Sequence, residues 1–279
     1  MSLFRRSTPL ERHTLRGQDV WVKRDDLFAR PPAPPLGKLR GARDLLGKLH
    51  RAGVRLVGCW DTRISALGQG IAICARDLPG MRVIAAYPAI PGQPVPEALK
   101  IAGFLGAEIL PVRAGRITIS FAEARRYVKE RGGVMLPFGL DCAESVAAVQ
   151  REAASIPDEA ILGGTAVVSC GSGVTLAGLI RGLGYRPSRY VGVSSGRSVT
   201  MIESCLRKYG NVPANLRLIP ANYPYTRQPT ILCPFPSHPN YDLKAWGYVR
   251  RNLRRLPKPI LFWNVGALAM EPTILRSRR

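Results

Sequence analysis

Residues 165–183 read TAVVSCGSGVTLAGLIRGL: an apolar strand pattern, a glycine–serine turn and a helical pattern in direct succession. Such a junction can bind an anion. Gly171 and Gly173 are able to take positive φ and let the main chain approach a ligand. Amides of the turn, and of the first helical turn from Val174, then point free N–H groups at one place, where the helix dipole favours negative charge. Ser172 and Thr175 add hydroxyl donors. Neither GxxxxGK[ST] nor GxGxxG occurs at this junction, so ATP and dinucleotides are poor candidates and a smaller phosphate ester fits better. A tight strand-to-helix connection with no ligand shares the same pattern.

Outward from this junction, apolar runs alternate with amphipathic stretches almost from end to end, which is the α/β pattern of parallel strands joined by helices. The periodicity predicts strands at 53–59, 81–87, 107–112, 134–137, 165–170, 189–194 and 259–264. Helices are predicted over 38–51, 66–77, 94–105, 119–131, 142–155, 174–184, 197–209 and 243–255. In the first helix Leu39, Ala42, Leu45, Leu46 and Leu49 form one apolar face, which sets Lys38 at the helix start on the edge of the core. Proline-rich loops are expected at 31–35, 213–239 and 257–259.

A chain of 279 residues with 46% hydrophobic and 22% charged residues has the make-up of a soluble globular protein. Its six cysteines are widely spaced with no CxxC pair, and its three histidines show no ligand spacing. No metal site or disulfide framework is expected, and free thiols point to a reducing, cytoplasmic setting. MSLFRRSTPL shows no secretory pattern. Residues 160–180 carry no charge over a length that could span a bilayer, but five glycines and several hydroxyls make a buried strand and turn the better reading. Charge is the outlying quantity: 41 Lys and Arg against 19 Asp and Glu give +22. Arg250, Arg251, Arg254 and Arg255 would gather on one helix face, and Arg276, Arg278 and Arg279 close the sequence. Such a field favours polyanions by counterion release, so a nucleic-acid partner and a merely basic surface both stay open.

A second set of motifs carries a resemblance. Thr8-Pro9-Leu10, then WVKRDDL at 21–27, then Gly37-Lys38 opening a helix, is similar to the start of the pyridoxal-phosphate enzymes of the tryptophan-synthase-β type. The aminocyclopropane-carboxylate deaminase, D-cysteine desulfhydrase and threonine synthase branches are the most similar. That resemblance implies a two-lobed α/β fold of three-layer parallel sheets with flanking helices. The smaller lobe would span 52–137, inserted in a larger one formed by 1–51 and 138–279, and a homodimer would be expected. It implies that Lys38 carries pyridoxal 5'-phosphate through its amine and then moves protons at the substrate α-carbon, while Gly171, Ser172, Gly173, Val174 and Thr175 hold the phosphate.

The family's substrate carboxylate is expected at the loop after strand 53–59. There Thr62, Ser65 and free amides at the helix start can bind an anion, and Arg63 can add a fixed charge. An ion pair between Asp61 and Arg63 is the alternative for that loop. Ala66 stands where the family has the asparagine that touches the cofactor's phenolic oxygen, with Leu67 beside it. YDLKAW at 241–246 and PILFWNVGA at 259–267 resemble the closing helix and the strand beside the ring nitrogen. Asn264 would then be the ring-nitrogen partner, a neutral amide that favours elimination-type chemistry. Tyr241 and Trp263 read as core or loop anchors.

The resemblance therefore points to an enzyme acting at the α-carbon of an amino acid or amino-acid-like group by elimination, deamination or decarboxylation, with no membrane association. Three versions remain: the group is attached to a nucleic-acid base; the substrate is a free small amino acid and the charge is incidental; or the fold has lost its chemistry and binds nucleic acid.

Overall fold

A computed structural model of the chain describes residues 2–210, 212–220 and 224–268. Arg276, Arg278 and Arg279 lie outside the described residues.

The chain opens with an antiparallel hairpin of β1 (Leu10–Leu15) and β2 (Gln18–Arg24). Helix α1 (Leu39–Arg51) leads to β3 (Leu56–Trp60), α2 (Leu67–Arg76), β4 (Arg82–Ala89), α3 (Glu97–Phe104), β5 (Glu108–Arg113), α4 (Ile117–Glu130) and β6 (Val134–Met135). Then follow α5 (Ala143–Ala154), β7 (Thr165–Cys170), α6 (Val174–Leu183), β8 (Arg189–Ser194), α7 (Val199–Tyr209), β9 (Leu216–Ile219), α8 (Asp242–Asn252) and β10 (Ile260–Asn264).

Two sheets result. One has six strands in the order β1-β2-β10-β7-β8-β9, parallel except for the β1–β2 pair, and the other has four parallel strands in the order β5-β4-β3-β6. Every residue of β3, β7 and β10 is buried, as expected of parallel strands covered on both faces. Helix α1 has its apolar face in the core: Leu39, Ala42 and Leu46 are fully buried. Ligands in open parallel sheets gather where the strands end at their carboxyl edge. Here that edge brings together the chain after β2 (Asp25), β7 (Gly171), β8 (Ser195) and β10 (Val265).

All eight predicted helices are present, but three elements differ from the sequence expectation. The β1–β2 hairpin turns through Arg16 (φ 51°) and Gly17 (φ 74°), a two-residue turn with positive φ at both positions. Its arginine hides the usual Asn-Gly signal. Strand β9 lies inside the expected 213–239 loop; it is a four-residue edge strand held only by β8. Helix α8 stops at Asn252, so Arg254 and Arg255 fall beyond it and do not share a helix face with Arg250 and Arg251. Arg250 itself donates to the Leu232 carbonyl at 2.8 Å.

Candidate active site

Lys38 is placed by contacts on both sides of it in sequence. The Gly37 amide donates to the Val265 carbonyl at 2.7 Å and the Ala267 amide to the Pro35 carbonyl at 3.0 Å, so the exit of β10 ties down the start of α1. Gly37 admits no side chain, because a Cβ there would lie 2.3 Å from Asp25 Oδ2. Asp25 in turn accepts from Arg40 at 2.7 Å and from the Trp263 indole at 3.2 Å. Trp263 is fully buried, an anchor of the core as its composition suggested.

Behind this stands a buried ion network that accounts for the KRDDL segment. Lys23 Nζ meets Glu152 Oε1 at 2.5 Å and donates to the Thr8 carbonyl at 2.6 Å, while Arg40 reaches Glu152 Oε2 at 3.1 Å. Thr8 adds its amide (2.9 Å) and hydroxyl (3.0 Å) to Glu152. Burial alone would raise the Glu152 carboxyl, yet Lys23, the Thr8 amide and Arg40 outweigh it and hold it below the usual value. Neither Arg40 nor Glu152 carried a motif, so sequence alone missed them.

A cavity beside Lys38 is lined by Gly37, Gly41 and Gly139 and, across from them, by Val174 and Thr175, the first two residues of α6. The lysine and the start of α6, directly after the glycine–serine turn, therefore face one space. Burial pushes the Lys38 amine below its ordinary value. The Arg197 guanidinium adds to this, and the Asp242 carboxylate pulls the other way. A lysine whose amine holds its proton less tightly is the better nucleophile toward an aldehyde.

The turn suits a phosphate ester. The amides of Gly171, Ser172 and Gly173, and the hydroxyls of Ser172 and Thr175, have no hydrogen-bond partner among the described residues. Gly173, the cap of α6, takes φ 97°, as expected; Gly171 does not have positive φ, a correction to the sequence reading. An added Cβ on Gly171 would meet only Ser195 Oγ and the Tyr241 ring, both at 3.9 Å, so that residue leaves the approach open. With five uncommitted donors at a helix N-terminus, these residues fit the phosphate of pyridoxal phosphate. Gly173→Ala should weaken cofactor affinity about tenfold, because left-handed backbone costs a non-glycine residue about 1–2 kcal/mol and the unliganded turn relieves that strain by moving its amides. Titrating the cofactor-free protein with pyridoxal phosphate measures this.

The loop expected to take a substrate carboxylate already holds one of its own. Asp61 is buried and accepts the amides of Thr62 (2.9 Å) and Gly68 (2.7 Å) and the Ser65 hydroxyl, while Ser65 Oγ accepts from the Leu67 amide at 3.2 Å. The Leu67 and Gly68 amides of the helix start are therefore spent, and Ser65 is part of that internal network. Asp61 and Arg63 do not pair; Arg63 donates to the Pro94 carbonyl at 2.8 Å. Thr62 faces the Tyr225 hydroxyl.

Asn264 is fully buried, with its amide donating to the Pro236 carbonyl (2.9 Å) and its oxygen accepting from Ser237 (2.9 Å). Two residues along the same strand end, Asp242 accepts the amides of Val265 (3.0 Å) and Gly266 (3.2 Å). Burial pushes the Asp242 carboxyl up to about 8 despite those two bonds, with Asp26 adding to the rise. Tyr241, beside it, packs edge-on against Tyr225 (5.4 Å) and His238 (4.7 Å) over the turn. Sequence reasoning passed over Asp242 because the acid, at the start of α8, stands 23 residues before the strand end it serves.

Solved structures share this architecture. An ACC deaminase homologue is similar over 95% of this chain and 90% of its own, with a TM-score of 0.79 and 21% identity. An O-acetylserine-dependent cystathionine β-synthase from Helicobacter pylori is similar over 95% and 94%, with a TM-score of 0.68 and 16% identity. The fold is thus that of the tryptophan-synthase-β-like pyridoxal-phosphate enzymes. No protein-family model matches the chain. At the level of sequence it is 30% identical to a glycyl-dTMP PLP-dependent decarboxylase of Pseudomonas phage M6, over an alignment of 287 residues that covers 93% of this chain and 98% of the relative. The chain belongs to the family of that decarboxylase, and it is a pyridoxal-phosphate-dependent enzyme acting on an amino-acid-like group.

Proposed function

We propose that this enzyme decarboxylates a glycyl-type amino-acid group attached to a thymine base, on DNA or a nucleotide. The observation that carries the reading is the single cavity shared by Lys38 and the 174–175 helix start, in a chain related over nearly its whole length to a decarboxylase of that name. Lys38 would hold the cofactor aldehyde, and Gly171, Ser172, Gly173, Val174 and Thr175 its phosphate. Asp242 would face the ring nitrogen in place of Asn264: the Asn264 amide donates to Pro236 and its oxygen accepts from Ser237, whereas a carboxyl that accepts from Val265 and Gly266 still has lone pairs to offer. Facing a ring cation, that acid would ionise and would hold a proton on the ring better than an amide does, which favours carbanion chemistry over simple elimination.

Pyridoxal phosphate, when bound, supplies the electron sink for the pair left on the α-carbon. The bond that breaks joins the α-carbon to the carboxylate, carbon dioxide leaves, and the Lys38 amine would deliver one proton to that carbon. The product keeps its amine and loses its anion. Thr62 and Arg63 would lie on the substrate side, with Ser65 holding their loop in shape through Asp61.

The +22 charge favours a polymeric substrate, with Arg250, Arg251, Arg254 and Arg255 contributing to the field around α8. Residues 52–137 form the smaller lobe in this reading, and the assembly is a homodimer. The test is incubation with DNA bearing a glycylated thymine, followed by digestion and mass spectrometry. Loss of one carbon dioxide per modified base is expected, with a rate that falls steeply as salt rises. Release of ammonia with the carboxylate retained would overturn the reading in favour of deamination, and turnover confined to free amino acids would overturn the nucleic-acid part.

A further inference from the structure

The loop after β8 carries a cation that the site has not yet accounted for. Arg197 makes no ion pair among the described residues, and its guanidinium lies over the Phe138 ring at 4.9 Å. Phe138 directly precedes Gly139, which lines the cavity with Lys38. On the other side, Gly196 packs so tightly on Tyr225 that a Cβ would lie 2.7 Å from the tyrosine Cβ, and Tyr225 meets both Tyr241 and Thr62. Arg197 therefore stands where the aromatic cluster, the 136–142 segment and the lysine converge.

At the start of α2, Asp61 takes the amides of Thr62 and Gly68, so those two donors are not available to a substrate anion. A substrate carboxylate needs another positive group close to the reacting amine. We propose that Arg197 is the residue that receives the substrate carboxylate, and so selects amino-acid-bearing substrate over decarboxylated product. This rests on the decarboxylase reading above.

The chemistry suits the role. A guanidinium offers a planar fork that binds a carboxylate through two parallel hydrogen bonds, and the Phe138 face beneath it fixes the plane and keeps water from one side. The same cation lowers the affinity of the Lys38 amine for a proton. After reaction the group that Arg197 held has left as neutral carbon dioxide, while the product is an ammonium that the guanidinium repels. Release of product follows from one fixed charge.

The experiment compares binding of two oligonucleotides to the intact, cofactor-loaded enzyme by the change in its visible spectrum: one with a glycylated thymine, one with the corresponding decarboxylated amine. Arg197→Gln should weaken binding of the carboxylate form about 10- to 100-fold, the range of a charge-assisted pair. Binding of the amine form should hold or tighten. Arg197→Lys, which keeps charge but not the fork, should fall between. Equal weakening of both forms, or loss of cofactor, would overturn the assignment by placing Arg197 on the cofactor phosphate or on the nucleic-acid backbone, while leaving wild-type decarboxylation intact. A wild-type enzyme that responds to neither oligonucleotide would overturn the decarboxylase reading itself and this inference with it.

Discussion

Lys38→Ala is expected to lose at least about three orders of magnitude in turnover, because in the proposed mechanism it removes both the amine that anchors the cofactor and the group that handles the proton at the α-carbon. The visible absorption of the lysine-bound cofactor should vanish in the same variant, and borohydride should no longer fix the cofactor to the protein. The fold should survive: Lys38 ends no buried ion pair, and its neighbours Leu39 and Gly37 are held by the core and by Asp25. Retention of more than about a tenth of wild-type turnover would show that another base does the work, since such a group typically contributes about 10²–10⁴. The cavity shared with Val174 and Thr175 would then need a different occupant.

Glu152→Ala has the largest expected effect on stability. Its carboxylate sits between Lys23 and Arg40 with the Thr8 amide and hydroxyl as further donors, and all four residues are buried. Removing the anion leaves two cations in the interior, a change that costs about 3–5 kcal/mol. In a chain of this size that lowers Tm by on the order of 10 °C, measurable by calorimetry of the loaded enzyme. Glu152→Gln keeps the shape and loses the charge, so most of the loss should persist.

The pH dependence has a definite sign. A carboxyl held below its usual pKa stabilises the fold above its unfolded value, and this is lost as pH falls through the native one. The acid limb of the stability curve should therefore flatten in Glu152→Ala. A Tm within about a degree of wild type would mean that the pair roughly breaks even against its own desolvation. Because Arg40 also holds Asp25 beneath Gly37, the same variant should lose activity beyond its loss of stability.

Much of the site could be read locally. The turn at 171–175 announces itself through glycine, hydroxyl and helix start in unbroken order, and the lysine through a resemblance confined to a few neighbouring residues. Parallel strands were legible as continuous apolar runs because both of their faces are covered. Features set by a two-residue turn or a lone neighbour were not: the Arg16–Gly17 hairpin and edge strand β9 carry little pattern of their own. The end of α8 escaped too, because arginines at 254 and 255 continue a helical spacing that the backbone abandons at Asn252.

Sequence by itself determined the alternation of strands and helices and pointed to a candidate anion-binding turn and a candidate reactive amine, since each depends on residues within one short stretch. Only the tertiary structure decided which charges meet. Glu152 reaches Lys23 and Arg40 across more than a hundred residues, Asp61 takes two amides of the anion site that its own loop offered, and Arg197, from the loop after β8, acts on the charge of the Lys38 amine. Coulomb and hydrogen-bond energies depend on distance through space, and a residue's place along the chain does not reveal that distance until the strands have been put in order.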